Sequence, residues 1–400
     1  MNVPVRLGPA ELKLIEQLNG AHATGEAERL QGAGLPTRRV ESYHYTDLKQ
    51  LLRSVPDLVA QAEGVSAPAM RVAGAYQLMI VNGEVQDTGT APAGVIVGKT
   101  EGGVLSQRDD ILVRLNSALT KQALSLDLDG SVDSVIQIDR RTEGRAAHAP
   151  SAAKIYVGDD ASAVILETYS GSDEAHVTNH STYLALGKRA VVTHVTVDLS
   201  SKKATHFATN EYHLAERAQL RTLVIHAGAS LARTQLFPTY EGAGAHADVT
   251  GLNLVDDGQH VDITMDASHA VPQTTSKPLF KSIARGRSKA VVQGRLVVAR
   301  DAQKTDAKLM AQGLMLSDEA EILCKPELEI YADDVVCGHG STCGQLDDDH
   351  MFYLTSRGIP RAEAETILVR AFLAELVDPI EDAALNEALT GVIDGWLAGR

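Results

Sequence analysis

The chain has 400 residues, 44% of them hydrophobic, which is enough for two or three structural units around a large core. Lys and Arg total 37 against 52 Asp and Glu; the formal net charge of −15 would repel a phosphate backbone and argues against nucleic acid as a partner. Aromatic residues make up only 4%, with a single Trp396, so the core must be built from Val, Leu, Ile and Ala; no apolar run reaches the roughly 18 residues that a membrane helix requires. With no charged leader ahead of a long apolar run, the chain is expected to be soluble and cytoplasmic.

The first 72 residues read as a helical region. Pro9 opens a run in which Leu12, Leu14, Ile15 and Leu18 recur at helical spacing until Asn19-Gly20 stops it. A short helix is expected over Glu26 to Gln31, and Thr46-Asp47 can cap a turn carrying Leu48, Leu51 and Leu52. Residues 73–131 form a mixed lead-in. Alternation from Ala75 to Val81 followed by Asn82-Gly83 predicts a hairpin, Val95 to Val97 is a short strand, and 106–126 has helical spacing through Ile111, Leu112, Leu115, Leu119 and Leu124. Gly98-Lys99-Thr100 resembles the end of a phosphate-binding loop, but Ala93 stands where that pattern requires glycine.

From 132 to 344 one theme repeats: short Val/Ile/Leu/Thr runs punctuated by Gly, Asp, Asn or Ser. Val191, Thr193, Val195 and Val197 share one face of a strand, and Val261, Ile263 and Met265 another. Strands this short and this poor in aromatics suit a mainly β fold of stacked rungs, a right-handed parallel β-helix, with a sandwich or barrel as the competing architecture; no strict repeat period is visible. Histidines in this region, including His180, His194, His206 and His226, form no helical ligand pair and are expected to face solvent or make ordinary hydrogen bonds. The locally basic stretch Lys277 to Arg300 has the spacing of a solvated face or a partner contact. Residues 345–400 return to helix: Asp347 to Asp349 favour a helix start, Arg357-Gly358 ends it, Pro360 precedes a stripe of Ile367, Leu368, Ala371, Phe372 and Leu376, and a last helix covers about Glu381 to Leu397.

Chemistry concentrates between Lys325 and Ile359. Three cysteines, Cys324, Cys337 and Cys343, cluster in the last fifth of the chain and form no even disulfide framework. Cys337 and His339 flank Gly338, so on an extended backbone both side chains project to one face. Thiolate and imidazole are both good ligands for iron or zinc, and a histidine also activates a neighbouring thiol. The residues alone leave three readings open: a metal or sulfur site, a cysteine nucleophile, or a structural glycine turn.

The segment LEIYADDVVCGHGSTCGQLDDDHMFYLTSRGI, with the upstream LPTRRVESYHYTDLKQLL, resembles the SufB/SufD family of iron–sulfur cluster assembly proteins, on its SufD side. The resemblance implies a right-handed parallel β-helix between helical ends and a non-catalytic scaffold that pairs with SufB through the β-helix and docks the SufC ATPase at its helical tail. It assigns Cys337 and His339 to the cluster-assembly interface, with His339 as a metal ligand shared with SufB and Cys337 as an accessory thiol, and Phe352, Leu354, Arg357, Leu368 and Phe372 as the SufC contact; Cys343, outside the family's pattern, is a further candidate accessory thiol or incidental. It implies no stably bound cofactor, only a transient cluster between SufB and this chain, and leaves open whether the isolated chain pairs with itself. No cysteine precedes Cys324, so the chain lacks the thiol that SufB carries inside its β-helix. Tyr43-His44 stands where relatives often have Trp-Lys, and Cys343 is an extra thiol in the turn. A β-helix enzyme acting on polysaccharides is the alternative from a different class; it would need carboxylates and basic residues in a cleft.

Overall fold

A computed structural model describes residues 6–59, 64–105 and 108–399. Helices α1 (Pro9–Gly20), α2 (Thr24–Ala33) and the single turn α3 (Leu48–Leu51) open the chain. Asp47 caps α3 by accepting from the Gln50 N–H, as the sequence suggests. Strands β1 (Tyr76–Val81) and β2 (Glu84–Val85) form the expected hairpin, with Asn82 and Gly83 at φ 52° and 80°, the left-handed pair that such a tight turn demands. Strand β3 (Val95–Glu101) and helix α4 (Ile111–Leu119) follow.

The helix expected over 106–126 is correct only between Ile111 and Leu119; residues 106 and 107 lie outside the described set. Gln122–Leu128 is strand β4, antiparallel to β3, because Ala123, Leu124, Leu126 and Leu128 all find burial in a sheet that helical spacing could not anticipate.

Sixteen further strands then climb between two sheets, alternating except that β15 and β16 share one: β5 (Ile136–Thr142), β6 (His148–Val157), β7 (Ser162–Gly171), β8 (Val177–Leu186), β9 (Val191–Asp198), β10 (Thr205–Leu214), β11 (Gln219–His226), β12 (Leu231–Tyr240), β13 (His246–Val255), β14 (His260–His269), β15 (Thr275–Ser276), β16 (Leu279–Ala284), β17 (Lys289–Val298), β18 (Asp306–Met315), β19 (Glu321–Ile330) and β20 (Val336–Gly344). One sheet runs β19-β17-β14-β12-β10-β8-β6-β4-β3; the other runs from β18 through β16, β13, β11, β9, β7 and β5 to β1 and β2, with β20 on β18. All neighbours from β4 and β5 onward are parallel, so the body is a β-solenoid of about 8 turns. Helices α5 (Asp348–Ser356), α6 (Arg361–Val377) and α7 (Ala383–Ala398) close the chain.

Between the sheets, alternate residues stack into one apolar column that includes Ile138, Ile165, Val192, Leu220 and Phe280 from one sheet and Ile155, Leu184, Leu236 and Leu296 from the other. The outer faces are covered too. Leu14, Leu18, Leu30 and Leu115 of the N-terminal helices pack with Val177, Phe207 and Leu231. On the opposite sheet, Val369, Leu373, Leu389 and Trp396 of α6 and α7 pack with Val195, Leu223, Leu252 and Ile283. No helix among the described residues is long and apolar enough to cross a membrane.

The basic stretch is only partly a solvated face: Lys277, Arg287 and Arg300 are exposed, but two of its cations turn to the helices. Lys281 is 3% exposed and donates to the Phe372 carbonyl (2.7 Å) and to Glu375 (2.8 Å), while Arg285 pairs with Asp256 and sits 4.0 Å over the Trp396 ring. These cations hold α6 and α7 against the sheet.

Candidate functional site

The two ends of the solenoid differ. At the start, the β1–β2 hairpin and antiparallel β3 cap the rungs. At the finish, among the described residues, β19 pairs only with β17 and β20 only with β18, so two parallel strands of ten and nine residues present unsatisfied backbone to the outside. Exposed edges of this length are templates for pairing with another chain unless something blunts them. Pro326 lies within β19, and proline is tolerated there because the Glu321 N–H donates inward to Ser288; alternation then turns position 326 toward the open side, where no ladder bond is lost.

The open end places the sequence-predicted residues. Ala307 pairs with Cys337, Leu309 with His339, Ala311 with Ser341 and Gly313 with Cys343. Because Ala307, Leu309 and Ala311 belong to the interior column, Cys337, His339, Ser341 and Cys343 continue that column on the last coil, where no further rung covers them. Cys337 is half-buried against the core, and burial pushes its thiol up from the ordinary range. His339 is exposed. The expectation that the pair shares one face is therefore met, and the face is the mouth of the solenoid.

Cys324 is the residue that motif reading passed over. It lies on β19 in register with the core residue Val292, and its sulfur is 4.0 Å from that of Cys343 on the opposite sheet. All three cysteines are free. A separation of nineteen positions between Cys324 and Cys343 carries no spacing signal; only stacking of the two sheets brings them together.

The residues read as a helical contact are distributed over α5 and α6. Phe352 is 73% exposed, and Arg357 is exposed with its guanidinium 5.2 Å from the Tyr353 ring. Leu354 and Leu368 are half-buried. Phe372 is half-buried, packed toward the sheet with the Lys281 ammonium 4.6 Å from its ring centre.

Two other polar assemblies were not anticipated. Of the histidines expected to face solvent or make ordinary hydrogen bonds, His176, His180, His194, His206, His226 and His269 are buried, and His176, His180, His194, His206 and His269 are hydrogen-bonded to Ser172, Ser151, Tyr212, Thr178 and Thr274 respectively; His148 is buried too, under the N-terminal helices. Tyr169 stacks on His180, which neighbours His206 and in turn His226, at centroid separations of 4.9, 5.5 and 5.9 Å. Fully buried Arg140 binds Glu167 at 2.7 Å, and Glu167 also accepts from Thr182 and lies 3.0 Å from His194. Burial alone would raise Glu167, but Arg140 and the hydrogen bonds hold it well below the usual carboxylate range. Elsewhere, a groove of about 630 Å³ between the N-terminal segment and the rungs gathers several carboxylates. Each has a partner: Asp266 and Glu329 bind Arg295, Glu327 binds Lys325, and Asp110 accepts from Tyr43.

The rung order and open-ended column coincide with a sequence match to the family described as SUF system FeS cluster assembly, SufBD core domain, over residues 140–372, more than half of the chain. The chain belongs to the SufB/SufD family. It is 27% identical to the iron–sulfur cluster assembly protein SufD of Escherichia coli over 93% of this chain and 92% of that protein. It is also 27% identical to an iron–sulfur cluster assembly SufBD family protein of Synechocystis, over 91% and 88% respectively. A Mycobacterium bovis SufBD family protein is 32% identical over 197 residues, 47% of this chain and 50% of its own length. The full-length similarity to SufD places the chain in the SufD branch, so it is a SufD-like member of an iron–sulfur cluster assembly family.

Proposed function

We propose that this chain is a non-catalytic scaffold subunit of a cytoplasmic SufBCD-type complex, joined to SufB through the open end of its β-helix and to the SufC ATPase through α5 and α6. The observation that carries this reading is the two rim strands, β19 and β20, each with one open edge, with His339 and Cys337 at the mouth between them. Strand addition from a second β-helix would satisfy the free backbone groups and continue the core. It would also bury His339 at the junction. There the imidazole serves as an iron ligand, or as a base that keeps a facing SufB thiol ionised. The cluster is cargo, built and passed on, so the chain holds no resident cofactor in this scheme.

Exposed Phe352 and Tyr353 on α5, with Ile367 on α6, give SufC an apolar contact beside the docked helices. ATP binding by paired SufC subunits would act on those helices through differential affinity for two states of the complex. Tagged chain expressed with its cognate SufB and SufC and weighed by native mass should give one copy of each large subunit with two SufC. A chain that remains alone beside folded partners would sink the scaffold reading.

A further inference from the structure

Cys324 and Cys343 stand opposite one another across the mouth of the solenoid, one from each sheet. Gly313, directly beneath Cys343 in the register, makes room for the sulfur: a Cβ there would lie 3.0 Å from Cys343 Sγ and 2.8 Å from Ile322 Cγ2. The resulting Sγ–Sγ separation is 4.0 Å. A disulfide bond needs about 2.05 Å, half that distance. A tetrahedral cation with metal–sulfur bonds of about 2.3 Å has an S···S edge of about 3.8 Å, close to what the pair already spans.

We propose that Cys324 and Cys343 form a two-thiolate clamp for a soft divalent cation, ferrous iron or zinc, separate from Cys337 and His339. Binding is ligand exchange without redox change: two S–H bonds are replaced by two sulfur–metal bonds and two protons leave to solvent. Among the described residues no group of three or more His, Cys, Asp or Glu is arranged to hold a metal, so the clamp fills two positions of four. The remaining two face outward from the open rim and are taken by solvent or by groups of a docked chain. The identity of the cargo rests on the scaffold reading; the clamp itself does not.

The test is anaerobic titration of the reduced full-length protein with cadmium, followed by the thiolate-to-metal charge-transfer band in the near ultraviolet. The wild type should saturate at one cadmium per chain. Cys324→Val and Cys343→Ala should each remove the band and weaken binding at least tenfold, whereas Cys337→Ser and His339→Ala change affinity less than twofold. Val292 occupies the position paired with Cys324 on the adjacent coil, so valine keeps the packing; thermal melts confirm the fold, and Cys343→Ala, at an exposed site, repeats the test. A wild type without a band at stoichiometric cadmium, a band kept in Cys324→Val, or a band lost only in Cys337→Ser would overturn the clamp. Co-purification with SufB and SufC needs no added metal, so failure to pair would count against the scaffold and not against the clamp.

Discussion

His339 stands on Leu309 in the register between β18 and β20, so the last coil carries an imidazole where the coil beneath it buries a leucine. A side chain in a core column that no rung covers contributes little to the stability of its own chain. His339→Ala should therefore change unfolding free energy by less than about 0.5 kcal/mol. In the assembled complex the same change should abolish cluster formation while one copy each of SufB and this chain still co-purify with SufC. Iron–sulfur absorbance on the isolated complex reads the first effect and native mass the second; dissociation of the complex would make the role of His339 structural.

Inside the solenoid the polar cluster behaves differently. Arg140 and Glu167 are both fully shielded from solvent, and Arg140 also donates to Ser151 and Thr182 at 2.9 Å each. Glu167→Ala leaves a guanidinium uncompensated in the core and should cost about 3–5 kcal/mol. The double change Arg140→Met with Glu167→Leu removes both charges and should cost less than the single Glu167→Ala. Urea midpoints at constant slope measure both; a double mutant less stable than Glu167→Ala would show that the hydrogen-bonded frame of Ser151 and Thr182 outweighs the ion pair.

Acid should unfold this protein through its histidines before its carboxylates. Burial lowers His148, His206, His260 and His269 to about 4, below the ordinary value of 6.5, so each is neutral in the fold and takes up a proton on unfolding. The unfolded state binds more protons between pH 6.5 and about 4, so stability falls as pH falls through that window, by about 1.4 kcal/mol per pH unit for each histidine. Glu167 and Asp198, held low by their partners, add to the loss only at still lower pH. His269→Gln should flatten the pH slope of the unfolding free energy between pH 6 and 5 by one proton; an unchanged slope would mean that His269 is already protonated in the fold.

The C-terminal helices are fixed by cations that read in the sequence as surface charges. Lys281→Ala removes the donors to the Phe372 carbonyl and to Glu375 together with the ammonium over the Phe372 ring. A loss of about 2 kcal/mol is expected, confined to the docking of α6 and α7. Limited proteolysis should cut within 361–398 while the rungs stay intact, and hydrogen exchange should rise in those helices alone.

Residue patterns made the strands and the terminal helices readable, since alternation at Val191 to Val197 and the stripe from Ile367 to Leu376 each need only local geometry. The repeat itself was hidden because corner lengths vary: Thr205 pairs with Leu231, but Lys289 pairs with Glu321, so coils run from 26 to 32 residues. Corners absorb the variation with left-handed residues such as Asp160, Arg189 and Arg217, which are not glycines and give no turn signal. Cys337 and His339 were legible as a same-face pair. Cys324 was not, because its partner Cys343 lies on the other sheet, and inward-facing histidines look like outward-facing ones when alternation has already been assigned to apolar neighbours.

The rim strand β20 offers a test of the proposed pairing with SufB. The Val336 N–H donates to the Thr305 carbonyl, so even-numbered positions turn their backbone toward β18 and odd-numbered ones, Cys337 to Cys343, turn theirs toward the open side. Ser341→Pro removes an N–H that faces the open side and that no bond among the described residues uses, whereas Thr342→Pro removes one that faces β18. The first should leave the thermal midpoint within a few degrees of wild type yet prevent co-purification with SufB; the second should lower the midpoint itself. If Ser341→Pro pairs with SufB as well as wild type does, the junction is made by side chains at the mouth and not by strand addition along β20.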